Sequence, residues 1–321
     1  MNQQLSVDTQ SDFHKINRVK ADFDSIYDES DPRSYFRVLG GLDYVVPGLA
    51  APVFQQIIAA RAALQDRPVT VLDLGCSYGT TSVLLRFPLN LDQLRRRYMN
   101  PEIQALSPAA LLDFDRAYFK SWPRRDAVEI VGLDPCANAV RYAVDVGIID
   151  TGIAEDFESG TPSPQARAAL ADVDLVISTG CVGYVSERTF ETILSCNRRT
   201  IAPWVASFVL RMFPYEPIAN TLRSHGLDTG KFEGATFVQR RFHSVEEYES
   251  TLNTLEKQGI VFAGREADGL FHAELFVSRP EALIRKTPLN QLVSIVSGQR
   301  ERFGRRYHQI EGQGARPLLI N

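Results

Sequence analysis

Cysteine and histidine are both scarce in this chain. The four cysteines, Cys76, Cys136, Cys181 and Cys196, are scattered, with no C-x-x-C pair and no nearby histidine pattern. That spacing argues against a structural zinc site and predicts reduced thiols in a cytoplasmic protein. The five histidines (His14, His225, His243, His272, His308) fall outside every motif described below, so no strong general base is visible. No window approaches ~18 uninterrupted apolar residues, so no membrane span is expected. The first twenty residues are polar, and no signal peptide is expected from them. The longest basic run is of the size of Arg95-Arg96-Arg97 and the formal net charge is −4, so nucleic acid is not an evident partner. What is present is ordinary for a globular protein: 321 residues, 44% hydrophobic and 23% charged. That is enough for one large domain or two small ones.

The chain changes character along its length. Residues 1–67 read as a helical, polar cap or lid, with loop signals at 31-DP-32 and 46-VPGLAAP-52 and an amphipathic helix over Val53–Leu64. Strand-like runs then follow at 69-VTVLDL-74, 128-VEIVGLD-134, 173-VDLVIST-179 and 204-WVASFVLRMF-213. Helical patterns lie between or after them, at Thr80–Arg86, Asn138–Val146, Ser186–Asn197 and Ile218–His225. The apolar runs are nearly continuous, as in strands buried on both faces, and the alternation predicts an α/β, Rossmann-like, mostly parallel sheet. Phe237–Phe242 is a further strand candidate and 244-SVEEYESTLNTLEKQ-258 a capped helix. The run 260-IVFAGREADGLFHAELFVSR-279 reads as two strands joined by a turn, giving an antiparallel end to the sheet. Residues 68–279 thus form the main domain. A segment too long for a loop, 87–126, is expected to be a helical insertion covering the site. Pro108–Ser121 is its clearest helix, after a Ser107 cap with proline in the first turn. The extension 280–321 is expected to hold a helix around Leu289–Phe303 and a loose stretch at 312–316.

The stretch 71-VLDLGCSYGTTS-82 places Gly75 and Gly79 directly after the first strand, where a ligand can approach the backbone closely. It is not the dinucleotide fingerprint, because Ser77 stands where the middle glycine would be, and no P-loop lysine follows. It resembles the first motif of class I S-adenosylmethionine-dependent methyltransferases, here Asp73-Leu74-Gly75-Cys76-Ser77-Tyr78-Gly79. Three further stretches match that family's motifs in order: 130-IVGLD-134, 153-IAEDFE-158 and 174-DLVISTGCVGYV-185. The resemblance covers roughly residues 69–215 and implies S-adenosyl-L-methionine as cofactor. It departs from the family at Ser77 and in the length of the insertion.

The resemblance implies roles residue by residue. Gly75 and Gly79 would pass the methionine end and the ribose, and Asp73 would reach the amino group. Asp134 would accept hydrogen bonds from the ribose hydroxyls, since a carboxylate offers two acceptor oxygens. Asp156 would meet the adenine and Phe157 lie on it, while Cys76, Ser77, Tyr78, Pro135 and Thr179 complete the cofactor site. Competing readings are that Asp73 and Asp134 cap the helices that follow, that Asp156 is a surface acid beside Glu155 and Glu158, and that Cys76 is core packing. On the acceptor side Tyr184, Ser207 and Arg211 are candidates, with Tyr35 and Tyr44 as a lid and Tyr78, Tyr184 or Trp204 facing the sulfonium. The chain is also similar to azetidine-2-carboxylic acid synthases of the same fold, in which the cofactor cyclises on itself. That similarity implies catalytic roles for Asn138, Tyr184 and Ser207 in holding the cofactor's amine. The bland readings are a helix-start position for Asn138 and core positions for Ser207 and Trp204. The expected partner is therefore a small-molecule substrate, or the cofactor alone; a non-catalytic binding module stays open.

Overall fold

The apolar runs read as strands lie side by side. The computed structural model describes residues 23–295, together with Phe13, Ile16, Asn17 and the strand backbones of 306–310 and 318–320. Strands β1 (Val69–Leu74), β2 (Val128–Leu133), β3 (Thr151–Ile153), β4 (Leu175–Thr179) and β5 (Trp204–Leu210) are parallel, in the order β3-β2-β1-β4-β5. The chain builds outward from β1 to β3 and then crosses back to β4. That reversal puts a switch point at the carboxyl ends of β1 and β4, where α/β sheets take their ligands.

Along each central strand successive side chains pack on alternate faces of the sheet. Val69, Val71, Ile130, Leu175, Ile177 and Phe208 pack on one face with Phe54 and Ile57 of the Val46–Ala62 helix. Leu72, Val131, Leu133, Val176, Val205 and Val209 pack on the other with Phe190 and Ile193. Both faces are covered, which is why these strands read as unbroken apolar runs.

The antiparallel end is built differently from the expectation. Strands β6 (Asp228–Lys231) and β7 (Ala235–Arg241) pair with the two halves of one long strand, β8 (Leu270–Arg279), whose other edge lies antiparallel to β5. The expected hairpin over 260–279 is therefore a single strand. Its first half is tied up otherwise: the Phe262 carbonyl accepts from Arg265 and Ala267, and the Val261 carbonyl accepts from Arg211. A short turn of 3-10 helix, Glu266–Asp268, leads into β8. Strand β6, with the weak strand formers Asp and Gly, went unread. Beyond β7 the sheet continues with β9 (Arg306–Ile310) and β10 (Leu318–Ile320).

The Val46–Ala62 helix starts seven residues before the expected Val53, through the stretch read as a loop. Pro47 falls in its first turn, where no amide hydrogen bond is lost; Pro52 is inside it. Burial of Val46, Ala50, Val53 and Phe54 outweighs the lost bond. The expected Leu289–Phe303 helix is present as Leu289–Leu292; residues 296–303 and 312–316 lie outside the described residues. Among the described residues no single helix is long and apolar enough to cross a membrane. One sharply bent pair, Arg33–Gly41 with Val46–Ala62, has the length and composition together.

The insertion is helical as expected, over Leu91–Tyr98, Pro101–Gln104 and Pro108–Lys120. Asn90 and Gln93 form a reciprocal capping box, and Ser107 Oγ accepts from the Ala110 amide at 3.3 Å. Its centre is the fully buried Asp115, which accepts from Arg97 (2.6 and 2.9 Å), Tyr98 (3.1 Å) and Tyr142. Tyr98 in turn stacks on Phe36 of the Arg33–Gly41 helix, centroids 4.6 Å apart.

Candidate functional site

A cavity of about 230 Å³ opens at the carboxyl ends of β1, β2 and β4. Its floor comes from the loops after those strands: Gly75, Cys76 and Ser77; Asp134, Pro135 and Cys136; Thr179, Gly180 and Cys181. Asp156 and Phe157 wall one side, and Gln239 and Arg240 of β7 the other. The roof is the front segment, through Phe23, Tyr27, Tyr35 and Tyr44. No residue of 87–126 lines the cavity, so the cover is the N-terminal segment and the insertion supports that cover from behind.

The cover is fastened by side chains that bond to main-chain carbonyls. Arg33, braced by Asp31, donates to Leu106 (2.7 Å) and Gln104 (3.1 Å) of the insertion. Tyr78 OH lies within hydrogen-bond reach of the carbonyls of Ile26 (3.0 Å) and Glu29 (2.8 Å). Tyr78 thus turns away from the cavity and holds the cover rather than lining the site. Asn138 also bonds the cover, donating to the Asp28 carbonyl at 2.8 Å.

Asp134 is the best-placed carboxylate. Its Oδ2 accepts from the Ser77 amide and its Oδ1 from the Cys136 amide, both at 2.9 Å. The group is 9% exposed and lines the cavity wall. Burial pushes its pKa up, and the bonds from the Cys136 and Ser77 amides and from the Cys136 side chain partly oppose this. Cys136 is the N-cap residue of the Ala137–Asp145 helix, which has no side-chain capping bond.

Asp73 lies beneath the floor. Its Oδ2 accepts from Ser82 Oγ at 2.7 Å, and its Oδ1 is buried with no partner. Burial pushes its pKa up to about 6. Ser77 adopts a left-handed conformation, φ 47°, at the position where the resembled motif has glycine, and its buried Oγ has no protein partner. Gly75 and Gly79 also have positive φ, but a Cβ on Gly75 would lie 2.6 Å from Cys181 Cβ, and one on Gly79 2.6 Å from Ile148. Their lack of a side chain serves protein-to-protein approach; Gly75 also lines the cavity and Gly79 does not.

On the third-strand side, Asp156 accepts from the Glu158 amide (2.9 Å) and Ser159 Oγ (2.6 Å), next to buried Phe157. Glu158 turns inward to bond Ser186 and Thr189 at the start of the Glu187–Cys196 helix. Thr179 Oγ1 lies 3.0 Å from Thr81 Oγ1. The three catalytic candidates do not converge. Tyr184 stands at the cavity rim, whereas Ser207 is fully buried in β5, 3.3 Å from Tyr215 OH, and Asn138 faces the cover from outside. Arg211 is also off the cavity, paired with Glu266 at 2.6 Å, and Trp204 lies in the core under the Arg279 guanidinium.

Three side chains of this wall carried no readable sequence signal: Tyr27, Gln239 and Arg240. Tyr27, Tyr35 and Tyr44 have their pKa values raised by burial, Tyr35 to about 12 and the other two well above the ordinary value. They are neutral phenols near neutral pH. Among the described residues no cluster of potential metal ligands occurs.

No family model and no curated protein matches this chain. Solved structures do. A plantazolicin methyltransferase, BamL, in complex with a triazolic desmethylPZN analog and SAH, is 10% identical, with 85% of this chain and 97% of that one covered and a TM-score of 0.42. Precorrin-6y C5,15-methyltransferase from Geobacter metallireducens GS-15 is 11% identical, over 71% and 87%, with a TM-score of 0.35. The [4+2]-cyclase SpnF is 16% identical, over 71% and 80%, also at 0.35. At these values nothing about the site follows from the likeness.

Proposed function

We propose that the cavity binds S-adenosylmethionine and that the chain is a transferase using it on a small molecule. The observation that carries this reading is Asp134: a carboxylate just after the second strand, lining the cavity with each oxygen held by one backbone amide. That is the arrangement a ribose diol needs, and it faces the glycine loop of β1 across the switch point. The other groups fit the same ligand. Asp73, buried beneath the glycine loop, places negative charge under the floor on the side that would take the ammonium group, and Phe157 beside Asp156 suits an adenine.

When bound, S-adenosylmethionine supplies an alkyl group already activated on a sulfonium. The chain's own part is then to bind, orient and exclude water. Asp134 holds the ribose, Asp73 balances the ammonium charge, and Tyr27, Tyr35 and Tyr44 close the roof. Phenols with pKa values raised this far do not take up protons as general bases near neutral pH. Among the described residues no histidine lines the cavity. The chemistry therefore suits a nucleophile that is reactive without a strong base, such as a neutral amine.

A second reading, self-cyclisation of the cofactor with release of methylthioadenosine, is favoured by one observation. The cavity is smaller than the ~300–1,000 Å³ of common ligand pockets, so it suits one ligand better than two. The positions of Asn138 and Ser207 outside the cavity count against it. Chromatography of a reaction containing protein and S-adenosylmethionine separates the readings. Methylthioadenosine formed without an acceptor supports the cyclase. Adenosylhomocysteine formed only with added acceptors supports the transferase. Tight binding with neither product supports a non-catalytic module.

A further inference from the structure

We propose that Gln239 and Tyr44 form the recognition point for the second substrate, above the end of β4. That substrate is a compact, uncharged molecule offering an O–H or N–H donor. This rests on the cofactor reading above and names the substrate class for the same site.

Gln239 is 6% exposed and lines the cavity, and its Oε1 is buried with no hydrogen-bond partner among the described residues. A buried amide oxygen left unpaired is costly, so a ligand donor is its natural complement. Its position is fixed: the Gln239 carbonyl accepts from the Val45 amide at 2.8 Å, directly after Tyr44. Gly180, at the end of β4, shows where the two groups meet. A Cβ there would lie 2.5 Å from Gln239 Nε2 and 3.8 Å from Tyr44 OH. The cofactor groups assigned above sit at the ends of β1 to β3, whereas β7 lies beyond β5 and β8 on the opposite side of the switch point.

Charge narrows the class. Arg240 reaches the cavity, but its guanidinium is engaged by both oxygens of Glu247, at 2.6 and 2.8 Å. It offers little to a carboxylate or phosphate, and Asp134 and Asp156 on the wall repel one. The faces of Tyr27, Tyr35 and Tyr184 suit an apolar body. In the transfer step the substrate's oxygen or nitrogen lone pair forms the new bond to the alkyl carbon. The carbon–sulfur bond breaks with its electron pair kept by sulfur, and the nucleophile's proton passes to water. Gln239 accepts the hydrogen bond that aims the lone pair; it takes no proton.

The test titrates the full chain, saturated with adenosylhomocysteine, with 4-fluorophenol, 4-fluoroanisole and 4-fluorobenzoate, followed by fluorine NMR. Wild type should bind the phenol at least about tenfold more tightly than the ether or the anion. Gln239→Leu should abolish that preference, and Gln239→Glu, which keeps an acceptor of the same shape, should retain it. Adenosylhomocysteine affinity within about threefold of wild type certifies that each variant is folded. Equal binding of phenol and ether by wild type, an unchanged preference in Gln239→Leu, or no binding of any probe overturns the proposal. If adenosylhomocysteine itself fails to bind, the cofactor reading falls, and the same titrations without it decide the role of Gln239.

Discussion

The two ends of the central sheet treat buried carboxylates in opposite ways. At the amino end, the fully buried Asp174 is saturated: Arg67 at 2.6 and 2.7 Å, Arg61 at 2.9 Å, Gln65 at 3.2 Å and the Thr70 amide at 3.0 Å. Burial alone would raise its pKa, but these partners hold it below the ordinary carboxylate value. At the carboxyl end, Asp73 keeps one buried oxygen without a hydrogen-bond partner among the described residues, Asp134 faces the cavity, and burial dominates, raising the pKa of both. The first pattern stabilises the fold. The second leaves polar atoms short of partners that a ligand can supply, and such shortfalls concentrate at functional sites.

The largest effect should come from breaking the saturated end. Asp174→Ala leaves Arg61 and Arg67 without their buried partner and is expected to cost about 3–5 kcal/mol of stability. A denaturant melt checks it; a loss under ~1 kcal/mol contradicts the assignment, since exposed pairs rarely exceed that.

At the other end, the effect should fall on binding. Asp134→Ala is expected to weaken adenosylhomocysteine binding by roughly 10- to 150-fold, as hydrogen bonds to a charged group are worth about 1.5–3 kcal/mol. Isothermal calorimetry measures it.

The two carboxylates also predict opposite pH responses. Asp174, with a depressed pKa, contributes stability that is present at neutral pH and lost as pH falls through its folded value. Asp73, raised to about 6, stays protonated in the folded state where the unfolded chain has already ionised. Its contribution therefore turns against folding as pH rises from about 4 to 6. If its ionised form meets the ligand's ammonium, adenosylhomocysteine affinity should climb between pH 5 and 7, by at most about tenfold per unit. The climb should be flatter in Asp73→Asn.

A smaller change is expected at the cover. Arg33→Ala removes the bonds to Gln104 and Leu106 and should speed ligand release about tenfold or less, read by stopped-flow displacement. An unchanged release rate would mean that the cover is held elsewhere.

The same contrast explains what the sequence revealed. The strands were legible because both their faces are buried, so Val71, Ile130, Val176 and their neighbours form unbroken apolar runs. The glycine loop and Asp134 were legible because they sit at fixed offsets from strand ends. The cover was harder. Pro47 and Pro52 mimic a loop, yet the helix through them forms because its apolar side is buried. Gln239 and Arg240 were invisible, since they reach the cavity from a strand far along the chain, with no local spacing to mark them. Ser207 and Arg211 looked suitable by type, but pleat direction turns Ser207 into the core, and Arg211 follows the end of β5 into an ion pair with Glu266.

The most direct test is calorimetric titration of adenosylhomocysteine into wild type, Asp134→Ala and Asp174→Ala, at a temperature where all three are folded. One site is expected in wild type, at least about tenfold weaker in Asp134→Ala and nearly unchanged in Asp174→Ala. No binding to wild type, or equal affinity in wild type and Asp134→Ala, would contradict it.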